Sequence, residues 1–522
     1  MKWPAWVVTL TERARRSASR DPLLVGTFAL LWIFALIPIW APRMLPLLDL
    51  PDHLAAIGVW HRFHDATWNY EHYYRLNLLP LPYWGYFFPV HLLSYVFSIE
   101  TANKIYLSAY ALALPIGVAW LAHRMGRSVW LSVFAFPIVF NYNLTLGFVT
   151  FCGGLAVLFF ALAALDAYME APSRKRAIAV FVLTLVLYFF HVLPWLFFGL
   201  SAVVLLLSHG WHPRRIGIAA GLMLPSVAIA IYAFAASRGV TAVEAGPLKL
   251  DAHFDDAMNN LQTIPTSILT ASATDMTYRV MLALFAVWMT LFITARTDAN
   301  DSEARAHGFA YRLEILFALS ALMIFVLPGH LFKPVDLWMI AGRFVTVTAI
   351  FAVLLPHGPL NGRRKLLLIP VVVLAAYYPT QLARAWRKFD NRAESVRRLM
   401  RLVPRGSNTL VLTVGDGSDV DIDKQALPYL QFHAYAQYFA GGYDPYALST
   451  GFPMVERKEN ALPAPMWKHP ETFRLEQQGV FYDYVLTRNE TWPHALFGPD
   501  AAGQAPLVEV DGEWRLYKVK KP

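Results

Sequence analysis

Two aspartates and a histidine stand within five positions of one another, Asp49-Leu50-Pro51-Asp52-His53. An apolar run from about Pro22 to Trp40 comes just before them and is long enough to cross a bilayer, which takes ~20 residues. A carboxylate within hydrogen-bond reach of a hydroxyl or amine can act as its general base. A second carboxylate or the imidazole can orient the acceptor or hold a divalent cation, and oxygen-rich sites suit Mg²⁺ or Mn²⁺. Such a group at a membrane exit points to chemistry on a substrate that sits in lipid. Pro51 also suits the first turn of a helix, whose positive end would favour Asp52. A helix start explains Asp52 but leaves Asp49 and His53 over.

A second group lies far along the chain. His330, Lys333 and Asp336 precede Arg343, a lone arginine just inside an apolar segment. An intramembrane arginine is costly and marks a site by default, and a guanidinium matches phosphate bidentately. Arg343, Lys333 and His330 are therefore the expected phosphate ligands, with an arginine snorkelling to the interface as the alternative. His61 and His64 read as amphipathic surface residues. His191, three residues before Pro194, reads as a loop or kink histidine. Asn141 and Asn143 read as turn or cap residues, and Cys152 as a small buried hydrophobe. There is no Walker motif, no G-x-G-x-x-G and no H-E-x-x-H, so no nucleotide or redox cofactor and no zinc protease is expected.

The elements that must position these residues are membrane spans. The chain is 57% hydrophobic and 16% charged, with a mean hydropathy of +0.40, against about 45–50% and about 25% in soluble proteins. The fold class expected is mainly α, a polytopic α-helical membrane protein with a small C-terminal soluble α/β domain. Apolar segments fall at about 22–41, 84–99, 104–123, 128–142, 145–168, 177–193, 194–208, 216–236, 279–295, 311–327, 340–356 and 365–381. Arg13, Arg15, Arg16 and Arg20 resemble the basic region of a signal peptide, but no small-residue cleavage site follows, so the first span reads as retained with its N-terminus inside. Basic loops at Arg174–Arg176, Arg214–Arg215 and Arg363–Lys365 all favour the cytoplasm. All three fit there if one segment between 84 and 142 does not cross, which leaves about 11 spans and an extracytoplasmic C-terminal domain. Arg384, Arg387, Lys388 and Arg392, just past the last span, argue the other way. The net charge of +9 falls almost wholly in the membrane part and suits cytoplasmic loops and anionic lipid, not nucleic acid.

Residues 1–383 read as the transmembrane domain, with outer loops at 42–83 and 237–278, the second carrying Glu244, Lys249, Asp251, His253, Asp255 and Asp256. Residues 384–522 read as the C-terminal domain. It has a basic helix over roughly Arg392–Leu402, buried strands at 408–414 and 481–486, and a hairpin turning at Asp511-Gly512.

The basic N-terminus, the single span and then Asp52-His53-Leu54-Ala55 resemble the start of type-C glycosyltransferases, polytopic enzymes that use polyprenol-phosphate-linked sugars. These include protein O-mannosyltransferases and lipid A aminoarabinose transferases. Their first extracytoplasmic loop carries an acidic motif, often Asp-Glu followed by Tyr-Ala. Here a histidine stands in place of the second acid, and Asp49 is the available substitute. The stretches Pro82–Pro89, Ser98–Lys104 and Ala122–Gly126 extend the resemblance over about the first third of the chain. It implies a transferase that moves a hexose or pentose, with inversion, from a polyprenol-phosphate donor to a glycan, lipid or protein acceptor, in a bacterial inner (plasma) membrane with the site facing out. Asp52 and Asp49 would then serve as base and possible metal ligands, His53 would orient acceptor or metal, and Arg343, Lys333 and His330 would hold the lipid phosphate. A flippase or a non-catalytic assembly protein for lipid-linked glycans is the competing reading. A flippase would predict intramembrane acids and inverted repeats, whereas the carboxylates sit mostly outside the apolar segments and no repeat is visible.

Overall fold

A computed structural model describes residues 21–241, 251–269, 275–294, 311–333, 336–358, 360, 362–413, 427–447, 454–458, 461–489, 497 and 501–521. The basic residues before Asp21 lie outside these, as do Glu244 and Lys249.

Six described helices are long and apolar enough to cross a membrane: Pro22–Trp40, Ile99–Arg124, Val149–Glu170, Pro213–Ala236, Met276–Ile293 and Gly362–Met400. Five shorter apolar segments run between the same two ends: Val129–Thr145, Arg174–Phe190, Val192–Ser208, Arg312–Val326 and Ile340–Val353. The chain is thus a multi-pass membrane protein. The segment expected at 84–99 is a helix of only 10 residues, Trp84–Leu93. At 1.5 Å per residue it covers about half of a ~30 Å hydrocarbon core. The pass at 129–145 is broken into a 3₁₀ helix, Val129–Phe134, and two single turns, Ala135–Ile138 and Tyr142–Thr145. Asn141 caps the last of these, accepting from the Leu144 N–H.

The two ends differ in charge. At one end Arg124, Arg176, Arg215, Arg312 and Arg364 gather with Asp166, Glu170 and Glu314; this is the basic end. The other end carries the 42–83 loop and the described parts of 251–269, of 327–339 and of the C-terminal region; this is the site end. The three basic loops singled out from sequence all fall at the basic end, opposite the C-terminal region.

The last span does not stop at the membrane. Ile369–Met400 is one helix of 32 residues, about 48 Å long at 1.5 Å per residue, so the basic helix expected as a separate element is its continuation. The basic residues that argued for the cytoplasm sit on this extension, where a domain acid meets one of them, Arg392 with Glu513 at 3.7 Å, and the following Arg398 pairs with Asp511 at 2.5 Å. Beyond the helix stands a four-stranded mixed sheet in the order Thr409–Thr413, Tyr484–Arg488, Trp514–Lys518, Leu507–Asp511, whose first pair is parallel and the others antiparallel. The Asp511-Gly512 hairpin lies where the sequence places it. The second buried strand begins at Tyr484, three residues later than expected, because Gly479–Phe481 is a 3₁₀ turn.

The C-terminal region is joined to the first loop by buried tyrosines. Tyr70 donates to the Gln437 carbonyl at 3.0 Å, Gln437 donates to the Tyr74 hydroxyl at 2.6 Å, and Asn408 donates to that of Tyr73 at 2.8 Å. Tyr74–Leu76 pairs antiparallel with Val455–Arg457. Asp390, on the last helix, accepts from the Arg43 and Met44 N–H groups at 2.9 and 2.8 Å and so fixes the chain where it leaves the first span.

Candidate active site

Asp49 is the N-cap residue of the helix Leu50–His61, but its side chain caps no N–H there. The Asp49 N–H donates to the Leu146 carbonyl at 3.2 Å, and its own carbonyl accepts from His53 N–H at 3.1 Å. The backbone is pinned from both sides, and the carboxyl is left for other work. Gly147 makes this possible. At φ +81°, a Cβ there would lie 2.6 Å from Asp49 N and 3.0 Å from its Cα, so no other residue fits. His53 is buried and its Nε2 donates to the Gly147 carbonyl at 3.0 Å, with its ring edge-on to Tyr86. Burial pulls the His53 imidazole down to about 3, so it stays neutral and holds the Gly147 turn against Asp49.

Asp49 is half-buried. Burial pushes its carboxyl up to about 7, opposed by a hydrogen bond from Gln431 and by the charge of Arg343. Arg343 is 6% exposed. Its Nη2 donates to the Trp338 carbonyl at 2.9 Å, its Nη1 faces His191 Nε2 at 2.9 Å, and its plane lies 3.9 Å over Phe148. Its Nε has no hydrogen-bond partner. His191 caps the helix Val192–Ser208, its Nδ1 accepting from Leu193 N–H at 3.1 Å. A neutral imidazole carries one proton. The guanidinium can only donate, so its contact with His191 requires Nε2 to accept, and the neutral ring can take that bond or the Leu193 cap but not both.

Asp52 is 3% exposed and faces His433 and Asp444 of the C-terminal region. Asp52, His433 and Asp444 have donor atoms within 4.8 Å of one another and are the one described group able to hold a cation. Asp49, expected as a metal ligand with Asp52, is not in that group. His433 Nδ1 bonds Asp444 at 2.7 Å and its Nε2 bonds Gln431 at 2.7 Å, so an entering cation would have to displace one of them. Burial works against charging His433, but Asp444 and then Asp52 outweigh it and raise its affinity for a proton. His433 also lines a cavity of about 340 Å³ bounded by Tyr446, Trp467 and Lys468.

The other phosphate candidates stay apart from this centre. His330 pairs with Asp336 at 2.6 Å and stacks on Phe332. Lys333 is exposed, on a strand paired with Asp251. Only their neighbour Trp338, paired with His330, touches Arg343. His61 lies against His91 and Tyr95, and exposed His64 pairs with Glu71. His191 is the residue the sequence underrated. A buried arginine requires a polar neighbour, and His191 was among the few polar residues in an apolar segment. Gln431, His433 and Asp444 carried no such signal.

The fold defines a class of protein, a mostly helical multi-pass membrane protein with a small sheet-bearing C-terminal region. No protein-family model and no curated protein matches the sequence. Among solved structures, ArnT from Cupriavidus metallidurans bound to undecaprenyl phosphate is similar, with a TM-score of 0.51 at 13% identity over 95% of this chain and 98% of that one. The same enzyme in the apo state matches with a TM-score of 0.49 at 13% identity, over 96% and 98%.

Proposed function

We propose that this protein transfers a sugar from a polyprenyl-phosphate donor to an acceptor at the site end, with Asp49 as general base and Arg343 as the phosphate ligand. The observation that carries this reading is one pairing. A carboxyl poised near 7 shares a site with a buried guanidinium whose Nε lacks a partner. A base works best when its pKa lies near the working pH. Asp49 takes the proton from the acceptor hydroxyl or amine as its heteroatom attacks the anomeric carbon. The bond from that carbon to the phosphate oxygen breaks, the electron pair leaves with the lipid phosphate, and the sugar inverts. Arg343 stabilises the departing charge. An oxyanion at Arg343 would take up the hydrogen-bonding capacity that its Nε leaves unused. The fold shared with a structure that holds undecaprenyl phosphate supports a polyprenyl phosphate as the lipid partner.

The roles of the remaining residues follow from their contacts. Asp52 compensates His433, His53 anchors the Gly147 turn, and Lys333 and His330 stay outside the phosphate site. No step is assigned to Mg²⁺ or Mn²⁺, because the group that would hold a cation is closed by its own hydrogen bonds. We place the site end and the C-terminal domain outside the cytoplasm, on the strength of the basic loops at the opposite end.

The test uses the purified protein in proteoliposomes with a panel of undecaprenyl-phosphate hexoses and pentoses. Release of undecaprenyl phosphate is the readout, since transfer to lipid and transfer to water both produce it. Release that Asp49→Asn abolishes is expected. Binding of undecaprenyl phosphate no tighter than that of ordinary anionic lipid would overturn the reading.

A further inference from the structure

The base sits on the membrane domain, yet the hydrogen bond on its carboxyl comes from the C-terminal region. Gln431 bonds Asp49, Gln431 Oε1 meets His433 Nε2 at 2.7 Å, and His433 Nδ1 meets Asp444 at 2.7 Å. Gln431, His433 and Asp444 are 3%, 5% and 2% exposed. The direction of each bond follows from the next. The Asp49 carboxylate can only accept, so the Gln431 amide donates to it and turns its oxygen to His433. His433 Nε2 must then carry a proton, and Nδ1 carries another toward the Asp444 carboxylate. The imidazolium this requires lies close to two acids, Asp444 and Asp52, with Arg457 as the opposing charge. Asp444 is held in turn, its N–H donating to the Tyr74 hydroxyl at 3.0 Å. The line of bonds therefore begins and ends on the 42–83 loop, passing through the C-terminal region between Asp49 and Tyr74.

We propose that Gln431, oriented by His433 and Asp444, is the positioning residue for Asp49, so that the C-terminal domain completes the active site. This rests on the reading of Asp49 as base. Without Gln431 the carboxyl can rotate away from the acceptor, and without His433 the amide is free to flip and present its oxygen to a carboxylate. The C-terminal domain is then part of the catalytic unit and not an appended binding module.

The test is made on the full-length protein in proteoliposomes with the undecaprenyl-phosphate sugar that it turns over. Gln431→Met keeps the side-chain shape and removes both hydrogen bonds. It is expected to lower kcat by roughly 10- to 100-fold, as for one lost bond to a charged group, with donor KM and undecaprenyl phosphate binding changed by less than about twofold. His433→Phe should do the same, and the double variant should lose no more than about threefold beyond the worse single one, because the residues act in one line. Gln431→Glu, which sets a carboxylate against Asp49, should be worse than Gln431→Met. Wild-type kcat in Gln431→Met, losses that multiply in the double variant, or a kcat loss that Mn²⁺ restores would each overturn the proposal, the last by making His433 a cation ligand. If His433→Phe does not fold, the two Gln431 variants decide. Full turnover by Asp49→Asn would instead bring down the base assignment, a result separate from any behaviour of Gln431.

Discussion

Both ends of the membrane bundle hold a buried arginine and an aspartate, and they are arranged in opposite ways. At the basic end Asp166 is fully buried, and both of its oxygens are bound: Oδ2 by Arg124 at 2.9 Å, and Oδ1 by Arg312 at 2.6 Å and His209 at 2.9 Å. Arg312 also donates to the Arg124 carbonyl at 2.8 Å, so four segments meet at one compensated charge. At the site end Arg343 faces a histidine instead of a carboxylate and keeps an unpartnered Nε. Asp49 feels its charge without forming a contact ion pair with it. A buried ion group that satisfies itself ties helices together, because breaking it strands the survivors. A pair held apart with hydrogen-bonding capacity to spare is set for a third party.

Asp49→Asn tests that difference most severely. Loss of the base should lower kcat by about 10²–10⁴-fold and leave the fold intact, as measured by undecaprenyl phosphate release and by thermal unfolding. The rate in the wild type should rise with pH through about 7 and level above it, since the carboxyl must lose its proton to act. Arg343→Met and Gln431→Met each remove a group that lowers the Asp49 pKa, so in both the rising limb should move to higher pH. Asp166→Asn should show the reverse phenotype. It takes the carboxylate from Arg312 and leaves Arg124 with Glu170 alone, at a cost of about 3–5 kcal/mol, seen as a lower unfolding temperature with kcat per folded molecule preserved. If Asp166→Asn stops turnover without destabilising, the two ends are not different in kind.

Arg343→Met should weaken undecaprenyl phosphate binding by roughly 10- to 100-fold, the worth of a hydrogen bond to a charged group, as measured by titration in nanodiscs. Arg312→Met should leave that affinity unchanged. Gly147→Ala forces a Cβ against the Asp49 backbone at 2.6 Å and into a φ of +81°. It should lower kcat about tenfold through a displaced base while lipid phosphate binding holds, because Arg343 is on another helix.

The sequence carried the membrane architecture well, because apolar length is a direct physical requirement of a span. It also singled out Arg343, because a charge in an apolar run has to be explained. What the sequence left out has one cause. Asp52 was ranked with Asp49 from the acidic motif, and only the folded chain separates a half-buried Asp49 from an Asp52 that is 3% exposed and faces His433 and Asp444. Gln431, His433 and Asp444 lie more than 370 residues from Asp49, in ordinary soluble-domain sequence, and only the packing of His433–Ala440 on Leu50–His61 brings them in. Gly147 gave no hint either, since a glycine's positive φ is a property of the fold.

The smallest effect is expected where sequence grouping and geometry disagree most. Lys333 and His330 were grouped with Arg343 because they lie close in sequence and carry the right charge. In the folded chain Lys333 is exposed and His330 is paired with Asp336. An exposed cation is screened by solvent, and an ion pair at the surface is worth about 0–1 kcal/mol. Lys333→Ala and His330→Ala should therefore change undecaprenyl phosphate affinity by less than about threefold, with a salt dependence that Arg343→Met lacks. A tenfold loss in either variant, persisting at high salt, would move the phosphate from Arg343 to the strand that carries Lys333 and His330. The contrast between the two ends would then rest on Asp49 alone.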